Sequence, residues 1–134
     1  LFCHIRCISL GIILRIVVLR KGYLSLLTKK QNGFWDLPGG GLDFGEVPIK
    51  GLEREIMEEM GVKIKILNLN PVYFTTSQAK SGIWIANIIY NVELQDLNFT
   101  PSQECVDVKF FSKNEVSQEK VFLNVKAFSE QFVM

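Results

Sequence analysis

A chain of 134 residues, 48% hydrophobic and 22% charged, can bury one core without metal or disulfide staples and is short for two ordinary domains. Its net charge of +1 supplies no global field to draw in a nucleic-acid polymer or an anionic membrane, so any contact with phosphate has to be local. Three cysteines, Cys3, Cys7 and Cys105, are an odd and small number, which argues against a secreted disulfide framework and for reduced thiols in the cytoplasm.

The chain opens on Leu1 rather than Met, so its extreme N-terminus is expected to be incomplete. The apolar run over residues 8–14 is broken by Arg15 and closed by Arg20 and Lys21. It falls short of the roughly 18–20 residues of a membrane span, and no small-residue cleavage site follows it. Residues 8–19 are instead rich in Ile, Val and Leu, as a strand buried on both faces would be. Arg20-Lys21-Gly22 turns the chain, and residues 23–30 read as its antiparallel return strand. A proline and five glycines between Gly33 and Gly45 exclude long regular structure there.

A helix follows: Pro48 suits its first turn and Gly61 a left-handed stop. Residues 62–67, 71–77, 83–94 and 105–111 read as strands, and Ser112 with Glu115 forms a capping-box pattern. Phe122, Val125, Phe128 and Phe132 recur at helical spacing, which predicts a C-terminal helix packed on a sheet over residues 119–132. With no internal repeat or linker, the order strands, helix, strands, helix predicts a single α+β domain over residues 1–134.

The central helix carries the chemistry. With Glu55 at zero on a wheel of about 100° per residue, Glu59 falls near +40°, Glu58 near −60° and Gly51 near −40°. Ile49, Leu52, Ile56 and Met60 cluster from roughly 60° to 140°. One helix thus offers an apolar stripe to a core and, beside it, a carboxylate face around a bare glycine. Like charges at this spacing repel, and Arg54 sits only at the edge of the arc. Hard oxygen ligands of this kind suit Mg²⁺ or Mn²⁺; an ordinary solvated acidic face is the alternative.

The spacing favours the metal. Gly40, five residues, Glu46, seven residues, then Arg54-Glu55-Ile56-Met57-Glu58-Glu59-Met60-Gly61-Val62 resembles the box of the Nudix (MutT-like) hydrolases. At about 6–7% usage per residue type, chance agreement at the polar and glycine positions is on the order of one in 10⁸. The preceding FWDLPGG is similar to the family's Trp-acidic-Leu-Pro-Gly-Gly lead-in, and residues 104–116 to its late strand and turn. Gly51 departs from the usual alanine but keeps the position small.

The resemblance implies a Nudix fold, an α/β/α sandwich with a central mixed β-sheet. It implies a Mg²⁺- or Mn²⁺-dependent hydrolase that cuts a pyrophosphate bond in a nucleoside diphosphate derivative. The short chain resembles the (d)NTP or modified-NTP enzymes more than the larger ADP-ribose ones. Carried over, Glu55, Glu58, Glu59 and a backbone carbonyl of Gly39 or Gly40 would hold the metal, with Glu46 and Arg54 supporting the carboxylates. Glu104, or Glu58 or Glu59, would take the proton. Lys29 and Lys30 would face phosphate, though strand alternation turns at least one away. Phe34, Tyr73, Phe74 and Trp84 offer rings for stacking, with a core position the commoner use of each. The family admits two other readings, a non-catalytic nucleotide sensor and an isomerase, and it leaves monomer and homodimer open. Cys3, His4 and Cys7 lack the second pair of ligands a zinc site requires.

Overall fold

The computed structural model describes residues 10–79 and 81–132. Cys3, His4 and Cys7 lie outside the described residues. In chain order the elements are β1 (Leu10–Val17), β2 (Ser25–Lys29), β3 (Trp35–Asp36), β4 (Gly39–Gly41), α1 (Pro48–Met60), β5 (Ile64–Ile66), β6 (Tyr73–Gln78), β7 (Trp84–Leu94), β8 (Asp107–Phe111), α2 (Lys113–Val116) and α3 (Leu123–Gln131).

β1 and β7 form the spine of a mixed, five-stranded sheet. They run parallel in register from Leu10 opposite Trp84 to Val17 opposite Asn91. β4 flanks β1 antiparallel, and both β5 and β6 pair along β7. A second sheet, β3-β2-β8, is antiparallel. Strand alternation sends Leu14 and Ile16 of β1 to one face, where they pack with Leu52, Ile56 and Met60 of α1. Val17 and Ile89 face the other way and join Leu27 and Trp35 of the second sheet and Val125 and Phe128 of α3. Leu26 of β2 packs on the α1 side and Leu27 on the α3 side, so both sheets lie between the two helices in an α/β/α sandwich of α+β class.

α1 spans the interval its end signals mark. Pro48 occupies its first turn, and Gly61 closes it at φ 69° with its N–H donating to the Met57 carbonyl. A β-carbon at Gly61 would bear on Thr100, so both the left-handed backbone and the tight packing require glycine there.

Two expectations need correction. β2 is not the hairpin partner of β1. Arg20 and Tyr23 form the turn, but the chain then crosses into the second sheet, and the Val18 N–H donates to the Ser25 hydroxyl instead of a ladder carbonyl. The reason is burial on both sides: Leu26 packs with the α1 cluster and Leu27 with the α3 cluster. The C-terminal helix also starts later than residue 119. The Trp35 N–H donates to Lys120 and the Phe122 N–H to Trp35, which holds residues 120–122 extended along β3. Among the described residues, no helix is long and apolar enough to cross a membrane.

Candidate active site

α1 lays Glu55, Glu58 and Glu59 along one flank, and two cations meet them. Arg54 is held from many sides. Its Nε donates to Glu46 Oε2 at 2.7 Å and its Nη2 to Glu46 Oε1 at 2.9 Å. Its Nη1 donates to Glu55 Oε1 at 2.8 Å and Glu58 Oε2 at 3.2 Å. The Gly41 carbonyl and the Asp43 carboxylate complete the surround. Planar, forked donors matched to several carboxylates fix a geometry that lysine could not. Gly51 makes room for this: a β-carbon there would fall 2.6 Å from Glu46 Oε1 and 3.0 Å from Leu42 Cδ1.

Glu59 is the unusual group. It is 1% exposed, its Oε2 accepts from Lys30 Nζ at 3.1 Å, and its Oε1 has no hydrogen-bond partner. A buried carboxylate oxygen without a partner is costly unless something else occupies it. Burial pushes the Glu59 carboxyl above its ordinary range, outweighing the pull of Lys30 and the smaller pulls of Arg15 and Thr28. Burial raises Glu55 as well, against the pull of Arg54 and with a smaller push from Glu58 and Glu104. Glu104, at the head of the loop into β8, is thus close enough for its charge to reach Glu55. Gly40 faces Glu55 so closely that a β-carbon would lie 2.5 Å from its Cδ. Burial and then the charge of Glu59 raise the Cys105 thiol to about 11, which leaves it protonated and unreactive.

These features fit a divalent cation. A buried carboxylate with an orphaned oxygen, a second carboxylate against a bare glycine, and an all-oxygen donor set match hard-cation chemistry. Among the described residues no three acidic, imidazole or thiol groups already converge on one point. Glu55 and Glu58 turn to Arg54, and Glu59 turns to Lys30.

On the opposite face of the mixed sheet lies a cavity of about 620 Å³, lined among others by Ile13, Arg15, Phe34 and Asn87. Its polar floor is a network. Arg15 Nη1 lies 3.1 Å from Asp36 Oδ2 and donates to the Leu37 carbonyl at 2.8 Å, and its Nε donates to Asn87 Oδ1 at 3.4 Å. Asn124 Nδ2 donates to Asp36 Oδ1 at 2.9 Å. Volume, apolar walls and a few converging polar groups are those of a small-molecule site. Two connections tie cavity to cluster. The turn over residues 30–34, closed by the Lys30 N–H donating to Phe34 and the Gly33 N–H to Lys30, carries Lys30 at one end and Phe34 at the other. In β4, Gly39 pairs with Arg15 while its neighbour Gly40 pairs with Leu14 and borders Glu55.

Of the residues singled out from the sequence, Glu55, Glu58, Glu59, Arg54, Lys30, Gly40 and Glu104 gather around this flank, and Phe34 lines the cavity. Lys29 does not join them: its ammonium lies over the Trp35 ring, 5.7 Å from the centroid. Tyr73 packs edge-on against Phe128 in the core. Phe74 and Trp84 are exposed and do not line the cavity. Sequence reasoning missed Arg15, Asp36, Asn87 and Asn124. The available signal was a charge at position 15 inside an otherwise apolar strand.

The Arg54–Glu46 pair has a consequence in acid. Its hydrogen bonds hold the Glu46 carboxyl down to about 2, from 4.5. A group lowered on folding contributes stability that is present above pH 4.5 and is lost as pH falls through about 2. Glu46→Gln is therefore expected to lose less Tm than the parent between pH 5 and pH 2.5, read by thermal melts in matched buffers. Equal losses in the two proteins would mean the pair does not form in solution.

A model of the NUDIX domain matches residues 12–132. A MutT-like protein of Streptomyces ambofaciens is 30% identical over 103 residues, 77% of this chain and 64% of its own length. An ADP-ribose pyrophosphatase of Methanocaldococcus jannaschii is 26% identical over 103 residues, 74% of this chain and 60% of its own. The chain thus spans somewhat under two thirds of these relatives. Among solved structures, the MutT protein of Methanosarcina mazei superposes with a TM-score of 0.75 at 21% identity, covering 91% of each chain. The acidic helix and the layered sheets are accordingly those of a known group, and the chain belongs to the Nudix hydrolase family.

Proposed function

We propose that the protein hydrolyses a pyrophosphate bond of a nucleoside triphosphate or a modified one, with Mg²⁺ or Mn²⁺ held by Glu55, Glu58, Glu59 and the Gly40 carbonyl. The observation that carries this reading is the buried Glu59 carboxylate, whose Oε1 has no partner, within reach of a basic residue whose turn leads to a nucleoside-sized cavity. The cation supplies neutralisation of phosphate charge and acidification of water. The chain's own residues supply the rest. Arg54 orients Glu55 and Glu58. The cavity takes the nucleoside against Phe34, with Asn124 at its polar edge. Glu104, whose charge reaches Glu55, is placed to take the proton. Glu104→Gln is expected to lower kcat by roughly 10²-fold or more.

The similarity to an ADP-ribose pyrophosphatase keeps ADP-ribose as the second candidate. The test is product release from (d)NTPs, oxidised dNTPs, ADP-ribose and dinucleoside polyphosphates, with Mg²⁺, with Mn²⁺ and with chelator. Metal-dependent conversion of a triphosphate to monophosphate and pyrophosphate supports the proposal, and preferential cleavage of ADP-ribose replaces its substrate. Tight binding of a nucleotide without turnover makes the protein a sensor and overturns hydrolysis.

A further inference from the structure

Lys30 and Arg54 both neutralise the acidic flank, yet they are built differently. Arg54 has Glu46, Glu55, Glu58, Asp43 and the Gly41 carbonyl as partners. Lys30 has a single carboxylate partner, Glu59 Oε2 at 3.1 Å. Its side chain is 23% exposed where that of Glu59 is 1%. Its backbone is pinned at the head of the turn that leads to the cavity. A four-carbon stem with a point charge can swing without moving that backbone.

We propose that Lys30 is an exchangeable counter-ion. It holds Glu59 while no divalent cation is bound, and passes to a substrate phosphate when cation and nucleotide arrive, so that the two ligands bind cooperatively. The inference rests on the metal reading given above. A divalent cation taking the orphaned Oε1 stands on the same carboxylate as an ammonium 3.1 Å from Oε2, and two cations that close repel unless one is given an anion of its own. A phosphate of the bound nucleotide supplies it. Because coupling between sites is reciprocal, metal then improves nucleotide affinity by the factor by which nucleotide improves metal affinity.

The test is Mn²⁺ binding without nucleotide, by electron paramagnetic resonance at pH 8.5, for the parent, Lys30→Gln, Lys30→Arg and Glu59→Gln. Removing the competing charge is expected to tighten Mn²⁺ binding roughly tenfold in Lys30→Gln while raising its KM for nucleotide. Lys30→Arg stays near the parent in metal affinity. A lysine with a merely structural role would not move those two quantities in opposite directions. Should Lys30→Gln fail to fold, the parent alone serves. Acylation of Lys30, followed by mass spectrometry, is expected to speed up on adding Mg²⁺ and slow again on adding a nucleotide whose α,β-bridge resists hydrolysis. Mn²⁺ binding that is lost in Glu59→Gln but unchanged or weaker in Lys30→Gln overturns the exchange alone, as does Lys30 acylation indifferent to Mg²⁺. Absence of Mn²⁺ binding by the parent, or its retention in Glu59→Gln, overturns the metal reading and this inference with it.

Discussion

Replacing Glu59 by glutamine is expected to lower metal-dependent turnover by roughly 10²–10³-fold while leaving the fold in place. Charge stabilisation by a catalytic cation contributes several kcal/mol, and each 1.36 kcal/mol is a factor of about ten in rate. The substitution is nearly isosteric, so the packing of α1 through Leu52, Ile56 and Met60 is untouched. An amide at this position accepts from Lys30 with its oxygen but sets an N–H where the orphaned Oε1 now sits, and an N–H cannot ligate a cation. Lys30 loses its ionic partner without being trapped, because its side chain is partly exposed and can extend to water. The measurement is kcat with Mg²⁺ beside a thermal melt of the metal-free protein. A variant with near-parental turnover and an unchanged Tm would remove Glu59 from the site.

The largest effect on stability is expected from Gly39→Ala. Gly39 pairs with Arg15 at φ 139°, a backbone conformation that residues with a β-carbon rarely adopt. A β-carbon there would collide with the Leu14 carbonyl and lie 2.9 Å from Arg15 Cα. Both obstacles are backbone atoms of the central strand, so neither can rotate away. Strain and overpacking together are expected to cost about 3–5 kcal/mol, which for a domain of this size lowers Tm by at least ~10 °C. Gly40→Ala makes a useful contrast. Its β-carbon meets the Glu55 carboxylate, the far end of a flexible side chain, so turnover should suffer more than Tm. A Gly39→Ala protein melting within ~3 °C of the parent would show that β4 does not approach β1 this closely.

The features legible in the sequence were those encoded locally. Pro48 and Gly61 mark the ends of α1 because their backbone preferences hold wherever they stand. Ser112 and Glu115 form the capping box their spacing suggests. Strand partners were not legible, since alternation reports which face is buried and says nothing about which strand lies alongside. β2 was therefore set beside β1, although its true neighbours are β3 and the distant β8. The C-terminal periodicity was real in Val125 and Phe128, but pairing with Trp35 draws residues 120–122 out of the helix. For the site, the contiguous Arg54, Glu55, Glu58 and Glu59 were visible together. The cavity floor was not, because Arg15, Asp36, Asn87 and Asn124 come from four separate elements. Lys30 was visible as a basic residue, but its attachment to Glu59 depends on tertiary packing.

β1 stands between the two halves of the site and shows a different face to each. Leu14 and Ile16 support the helix that carries the carboxylates, while Ile13 and Arg15, one residue out of step, line the cavity. Substitution at Ile13 can therefore reshape the cavity without disturbing the packing beneath Glu55 and Glu59, whereas Arg15 lies close enough for its charge to reach Glu59. On the proposed function, a change at Ile13 is expected to alter which nucleotide the cavity prefers while α1 keeps its carboxylates in place.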